Sequence, residues 1–241
     1  MHQADQRPKR FYETVSVERG KGGYALRLDG KPVRTPLKNL PVLPTRALAD
    51  SVAEEWRAQG ERIDPETMPL TKLANSVIDG VHGKEEAVID DIMAHAASDL
   101  LYYRADGPPG LVAAQQAQWD PVFDWAKAAL DAPFTLSEGV VHVTQPQASL
   151  DRIKERLLGF DAFNLAALHV MTGLTGSALL ALAVALGWLT PEEAWKAAHV
   201  DEDWQISQWG EDAEAVERRA RYWRDFDAAT RLLQLLGKTS K

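Results

Sequence analysis

Asp91, His95 and Asp99 recur at every fourth residue, so on one continuous helix they would fall along a single face. A neutral imidazole between two carboxylates can ligate a divalent ion or pass a proton, which is the chemistry of a metal-dependent enzyme. The same spacing arises often by chance on a solvated helix. No second cluster of metal ligands accompanies it and H-E-x-x-H is missing, so a structural role is the stronger reading. His199 and Asp203 repeat the spacing as a lone pair, and His169, set among Leu165, Leu168 and Met171, reads as a hydrogen-bonded core residue. Serine chemistry lacks its G-x-S-x-G elbow; Gly173–Ser177, GLTGS, reads as a turn or a close approach between two helices. Neither glycine pattern that cradles phosphates occurs. Arg218, Arg219, Arg221 and Arg224 with Tyr222 and Trp223 are the one hint of nucleic-acid reading. Glu211, Asp212, Glu214 and Glu217 precede them, which fits a charge-laced helix better.

A denser set of carboxylates lies in Ala198–Gly210, AHVDEDWQISQWG. Read as one helix from Pro191 to Trp209, steps of three and four put Glu202 on the line of Trp195, Ile206 and Trp209. They put Asp201 beside Ala194, Ala198, Trp204 and Gln205, and Asp203 with Lys196 and Ser207. Asp203 is then the solvated acid. Asp201 and Glu202 face packing and need a cation, N–H donors or a partner's surface; an arginine such as Arg218 or Arg221 would serve as an internal brace. The plainer alternative is a solvated edge whose carboxylate stems cover the tryptophan rings.

These residues need a scaffold, and the totals bound it. The chain has 241 residues, 45% hydrophobic and 26% charged, the profile of a globular protein with one large or two modest domains. Without cysteine there are no disulfides, thiol nucleophiles or Cys-ligated metals, and an intracellular home is expected. A net charge of −8 disfavours nucleic acid and anionic membrane as main partners and favours a protein partner. The first residues carry no apolar signal or transit pattern, and the apolar run Leu174–Leu189 is too short to span a membrane, so it reads as a core helix.

Along the chain, Arg10–Leu43 is strand-like, with turns at Gly20–Gly23 and Asp29-Gly30 and a returning strand at Lys31–Thr35. Thr45 caps a helix to about Gln59, which Trp56 docks on the sheet. A short helix follows from Thr71 to Asp79. Beyond Gly83 the pattern is helical: Glu85–Tyr103, Gln115–Leu130, Ser149–Leu158, Ala162–Thr172, Ser177–Leu186, Pro191–Trp209 and Ala213–Leu236. Gly139–Val143 is either a short strand or an extended arm. The expected architecture is α+β: residues 1–82 as a small, mostly antiparallel β-rich domain, and 83–241 as a larger all-helical one.

Three separated motifs in order, R-F-Y from Arg10, L-D-G-K-P-V-x-T-P from Leu28 and D-E-D-W-Q-I-x-x-W-G from Asp201, resemble the ATP synthase assembly-chaperone family. Its members hold the alpha subunit of the soluble catalytic head before it joins beta. The resemblance covers about Arg10 to Asp212. It implies a two-part fold, no cofactor, no catalytic residue, and binding to the ATP synthase alpha subunit; a monomer is expected. It also implies no membrane insertion, the cytoplasm for a bacterial member and the mitochondrial matrix for eukaryotic relatives. The family's important acid before the aromatic-Gln-Ile motif maps onto Asp201 or its neighbour Glu202; mitochondrial members usually carry Glu where this chain has Asp201. Asp201, Glu202, Trp204, Gln205 and Trp209 are therefore the candidate partner-binding residues, with Trp56 and Gly210 structural. The alternatives are the His/carboxylate enzyme of Asp91, His95 and Asp99, or a generic protein-interaction module.

Overall fold

The computed structural model describes residues 7–139 and 141–237. It forms two compact units, one of residues up to Gly83 together with those from Arg231 on, the other Lys84–Thr230.

In the first unit β1 (Val15–Gly20) and β2 (Gly23–Leu28) pair antiparallel, and β3 (Lys31–Pro32) returns along β2. The Asp29-Gly30 turn works because both residues take positive φ, 49° and 76°, the twist a two-residue hairpin needs. β3 is shorter than the expected Lys31–Thr35, since Pro32 lacks a ladder N–H. The helix α1 (Arg46–Arg57) starts where Thr45 Oγ1 accepts from Leu48 N. Tyr12, Leu28, Ile63 and Met68 form a core against which Val15, Val33 and Trp56 pack, so Trp56 does seat its helix on this layer. Glu55 beside it accepts from Leu70 N, Thr71 N and Thr71 Oγ1, all at 2.7–2.8 Å, and so caps α2 (Pro69–Ser76). Five residues of wider helix, Val77–Val81, follow, where the sequence suggested one regular helix through Asp79.

The second unit is helical. α3 (Glu85–Ala97) ends earlier than expected because Asp99 caps a 3-10 turn, Leu100–Tyr102, after which β4 (Tyr103–Arg104) runs parallel to β5 (Ser137–Glu138). Of the stretch 139–143, Val140 lies outside the described residues; the strand observed is the pair before it. α4 (Pro109–Leu130) starts earlier than expected. α5 (Gln147–Leu158) and α6 (Ala162–Thr175) follow, and Gly176 at φ 67° turns the chain into α7 (Ala178–Ala185), whose first six residues are all buried. GLTGS is thus the turn between two helices. The expected single helix Pro191–Trp209 is two: α8 (Pro191–Ala198), opened by a capping box of Thr190 and Glu193, and α9 (Val200–Trp209), separated at His199 with φ −114°, ψ 19°. α10 (Ala213–Leu236) is the last element among the described residues. Among the described residues no helix is long and apolar enough to cross a membrane.

Candidate partner-binding surface on α9

The metal reading does not survive the coordinates. Asp99 is fully buried off the end of α3, where it accepts from Leu101 N and Leu179 N, both at 3.1 Å. Burial pushes its carboxyl up to about 6 against the pull of Ser177 and of the Leu101, Leu179 and Ala178 N–H groups. His95 is exposed and its Nδ1 meets the Asp91 carbonyl oxygen at 3.0 Å, while Asp91 instead stands 3.7 Å from His169 Nε2. His169 is itself 46% exposed, not the core residue expected. Among the described residues no three His, Cys, Asp or Glu side chains converge on a metal position.

α9 is different, because its side chains divide among three directions. Toward α4, Asp201 Oδ1 accepts from Gln115 Nε2 at 2.7 Å, and the same amide's oxygen accepts from Ala105 N at 2.8 Å. Trp204 lies on the first turn of α4, where a Cβ on Gly110 would stand 2.3 Å from its ring. A residue without a side chain is what lets this helix start and that ring meet. One helix back, Trp119 Nε1 donates to Ala197 O at 2.7 Å, so α4 holds both α8 and α9.

Toward α10, Arg219 pairs with Asp203 at 2.5 Å and stands 3.9 Å from Glu202. Asp203 is therefore not the solvated acid that counting along one helix suggested. The break at His199 shifts the later side chains relative to α8, yet Glu202 and Ile206 still share a recess with Trp195, whereas Trp209 points to solvent. His199 Nδ1 donates to the Trp195 carbonyl oxygen at 2.7 Å, the imidazole packs on the Trp195 ring at 4.1 Å, and Nε2 is 3.9 Å from Glu202. Burial above all, helped by the Arg219 charge, holds its imidazole below the ordinary value against the hydrogen bond to Trp195 and the charges of Glu202 and Asp203. Trp195, Trp223 and Phe226 meet ring to ring at 5.2–5.9 Å beneath it.

Two recesses open beside these rings. One, of about 310 Å³, is walled by Trp195, Ile206, Val216 and Trp223, with Glu202, Glu211 and Asp212 as its acids. The other, about 240 Å³, holds Glu192, Lys196 and Asp203. Arg219 is common to both. Outward, Gln205 and Trp209 are exposed, Trp209 at 79%. Gly210, at φ 87°, a conformation L side chains avoid, ends the helix with its N–H on Ile206 O.

Of the five candidates, Glu202, Gln205 and Trp209 thus present themselves to a groove or to solvent, whereas Asp201 and Trp204 are engaged with α4. Arg219 and Gln115 were not among the candidates, and Trp195 entered only through its line to Glu202. Arg219 sits in the same basic run as Arg218 and Arg221, and nothing in one dimension shows which of them turns toward α9.

A family model described as ATP12 chaperone protein matches residues 9–127. The Atu1473 protein of Agrobacterium tumefaciens is 51% identical with a TM-score of 0.92 over 95% of this chain and 86% of that one. Atp12 from Paracoccus denitrificans is 40% identical with a TM-score of 0.91 over 95% of this chain and 98% of its own. Protein atp12, mitochondrial, of Schizosaccharomyces pombe is 22% identical over 223 residues, 87% of this chain and 77% of that protein. The sheet followed by a helical body, the ordered motifs and these likenesses agree, and the chain belongs to the ATP12 family of chaperones.

Proposed function

We propose that this chain is an ATP synthase assembly chaperone that holds the free alpha subunit and masks its beta-facing surface until beta arrives. Family membership supports the chaperone half; the client rests on the kind of surface α9 offers. The observation that carries it is Trp209, an indole left 79% exposed on a helix whose other faces are both anchored, next to an apolar recess edged by Glu202, Glu211 and Asp212. Large aromatics displayed on a firm support, with charges at the rim, are how protein interfaces concentrate affinity and choose partners.

In this reading the five residues divide their work. Glu202, Gln205 and Trp209 touch the client. Asp201 and Trp204 hold α9 to α4 at the angle that presents them. No group is assigned covalent chemistry, and no cofactor is needed to bind and release a subunit. The working compartment is the one where the alpha subunit is made, the cytoplasm in a bacterium, and one chain serves one client as a monomer.

Co-purification with purified alpha subunit tests this. Wild-type protein is expected to capture it at micromolar concentration, Glu202→Ala to capture much less, and Asp201→Ala to lose capture only in step with lost folding. Failure of the wild type to capture the alpha subunit removes the client assignment.

A further inference from the structure

The N-terminal unit carries a surface that α9 does not account for. In the loop between β3 and α1, Leu37, Leu40 and Val42 are 68%, 52% and 40% exposed, while Pro41 and Leu43 point inward. On an extended chain, alternate residues share a face, so Leu40 and Val42 stand side by side. Single exposed leucines are ordinary, but three large apolar side chains exposed within Leu37–Val42 are not.

A slack loop would fold such side chains away; this one is fastened. Asp79 accepts from Thr35 Oγ1 at 2.6 Å, Leu37 N at 3.1 Å and Asn39 Nδ2 at 2.8 Å. Thr35 N donates to Asn39 O, Lys38 N to Thr35 O, and Arg34 to the Lys38 carbonyl at 2.8 Å, with Lys38 held at φ 67°. Burial resists the charge on Asp79, but its three hydrogen bonds together keep the carboxyl below its ordinary value, so the clamp is closed at neutral pH. Downstream, Tyr24 and Leu43 exchange backbone hydrogen bonds at 2.9 and 2.8 Å. This approach is open because Gly23 has no Cβ, which would stand 2.4 Å from Leu43 O. Display on a rigid loop lowers the ordering cost that binding otherwise carries.

Charge indicates what covers it. Residues 30–45 hold Lys31, Arg34 and Lys38 and no Asp or Glu, in a chain of net charge −8. The acid that faces the loop, Asp79, is spent on the clamp. A basic, apolar surface selects an acidic partner. Pro36, Pro41 and Pro44 remove N–H donors from this stretch, so a second copy cannot pair with it as a strand, and the partner must read side chains. An anionic lipid surface would repel a chain of this net charge.

We propose that the loop Pro36–Pro44 is a second docking surface, which takes an acidic segment of the client carrying apolar anchors between its carboxylates. This rests on the reading of the alpha subunit as client and adds a contact on the N-terminal unit to the one on α9.

Purified alpha subunit is titrated onto the immobilised full chain at low and high salt, using wild type, Leu37→Ser with Leu40→Ser, Lys38→Asn, and Trp209→Ala, with thermal melts alongside. The leucine pair is expected to weaken binding at least tenfold at an unchanged melting temperature. Lys38→Asn, whose new residue suits the left-handed backbone, is expected to weaken it a few-fold at low salt and less at high salt. Wild-type affinity in the leucine variant, with Trp209→Ala still impaired, overturns the loop contact and leaves α9 standing. No binding by the wild-type chain overturns both. Self-association, or retention on phosphatidylglycerol vesicles, that the leucine variant abolishes would assign the loop to a second copy or to lipid and overturn the acidic client.

Discussion

Asp99 and the acids of α9 all belong to the helical unit, and the protein treats them oppositely. Asp99 is sealed at the start of the 3-10 turn and of α7, its oxygens met by backbone N–H groups and by the Ser177 side chain. The α9 acids are each partly exposed, and their partners are side chains on other helices: Gln115 for Asp201 and Arg219 for Asp203 and Glu202. A carboxylate saturated by fixed backbone donors has nothing left to offer a visitor. One that shares a guanidinium at 3.9 Å can trade that contact for another at little cost. Placement near packing therefore does not mark an acid as functional; the kind of donor that meets it does.

The largest effect is expected at the sealed site. Asp99→Ala leaves several buried N–H groups without acceptors and should cost about 3–5 kcal/mol, read by urea unfolding. A loss under ~1 kcal/mol would erase the contrast. The same site gives a pH signature. Its folded pKa, about 6, lies above the ordinary value of 3.8, so the folded chain keeps a proton that the unfolded chain releases. That contribution is full below the ordinary value and is lost as pH rises through about 6. Wild type should lose stability relative to Asp99→Asn across that window, and parallel curves would contradict the assignment.

On α9, Trp209→Ala should weaken client binding by about 2 kcal/mol, roughly thirtyfold, while stability stays within ~0.5 kcal/mol of wild type. Gly110→Ala forces the Trp204 ring to turn aside and should cost about 1–2 kcal/mol, with a changed tryptophan fluorescence. Arg219→Ala should cost about 1 kcal/mol or less, because its pair with Asp203 is half open to water. Removing that positive neighbour should also raise the pKa of His199, measurable by NMR titration, whereas an unmoved His199 would place the arginine elsewhere in solution.

Much of the scaffold was legible in one dimension. Asp29-Gly30 announced its hairpin, Thr190-Pro191 its helix start, and the turn residues of GLTGS the α6–α7 connection, because each is a local backbone requirement. The break at His199 was not, since Ala197-Ala198-His199-Val200 contains no glycine or proline. That single missed break misassigned Asp203, whose fate depends on a helix beginning ten residues later. Asp99 was read into a metal series because Ser98-Asp99 was not recognised as a helix end, although an Asp before Leu-Leu-Tyr is a fair cap for a new turn. Gln115 and Arg219 were beyond reach: which of several polar residues on a helix meets another helix is decided by tertiary packing.

α9 is fastened on two faces, and the proposed client contact falls on the third. A calorimetric titration of the alpha subunit into the Glu202→Ala, Trp209→Ala double variant tests it most directly, in a preparation whose melting curve matches wild type. Affinity reduced a hundredfold or more is the expected result. Wild-type affinity in that folded variant would contradict it.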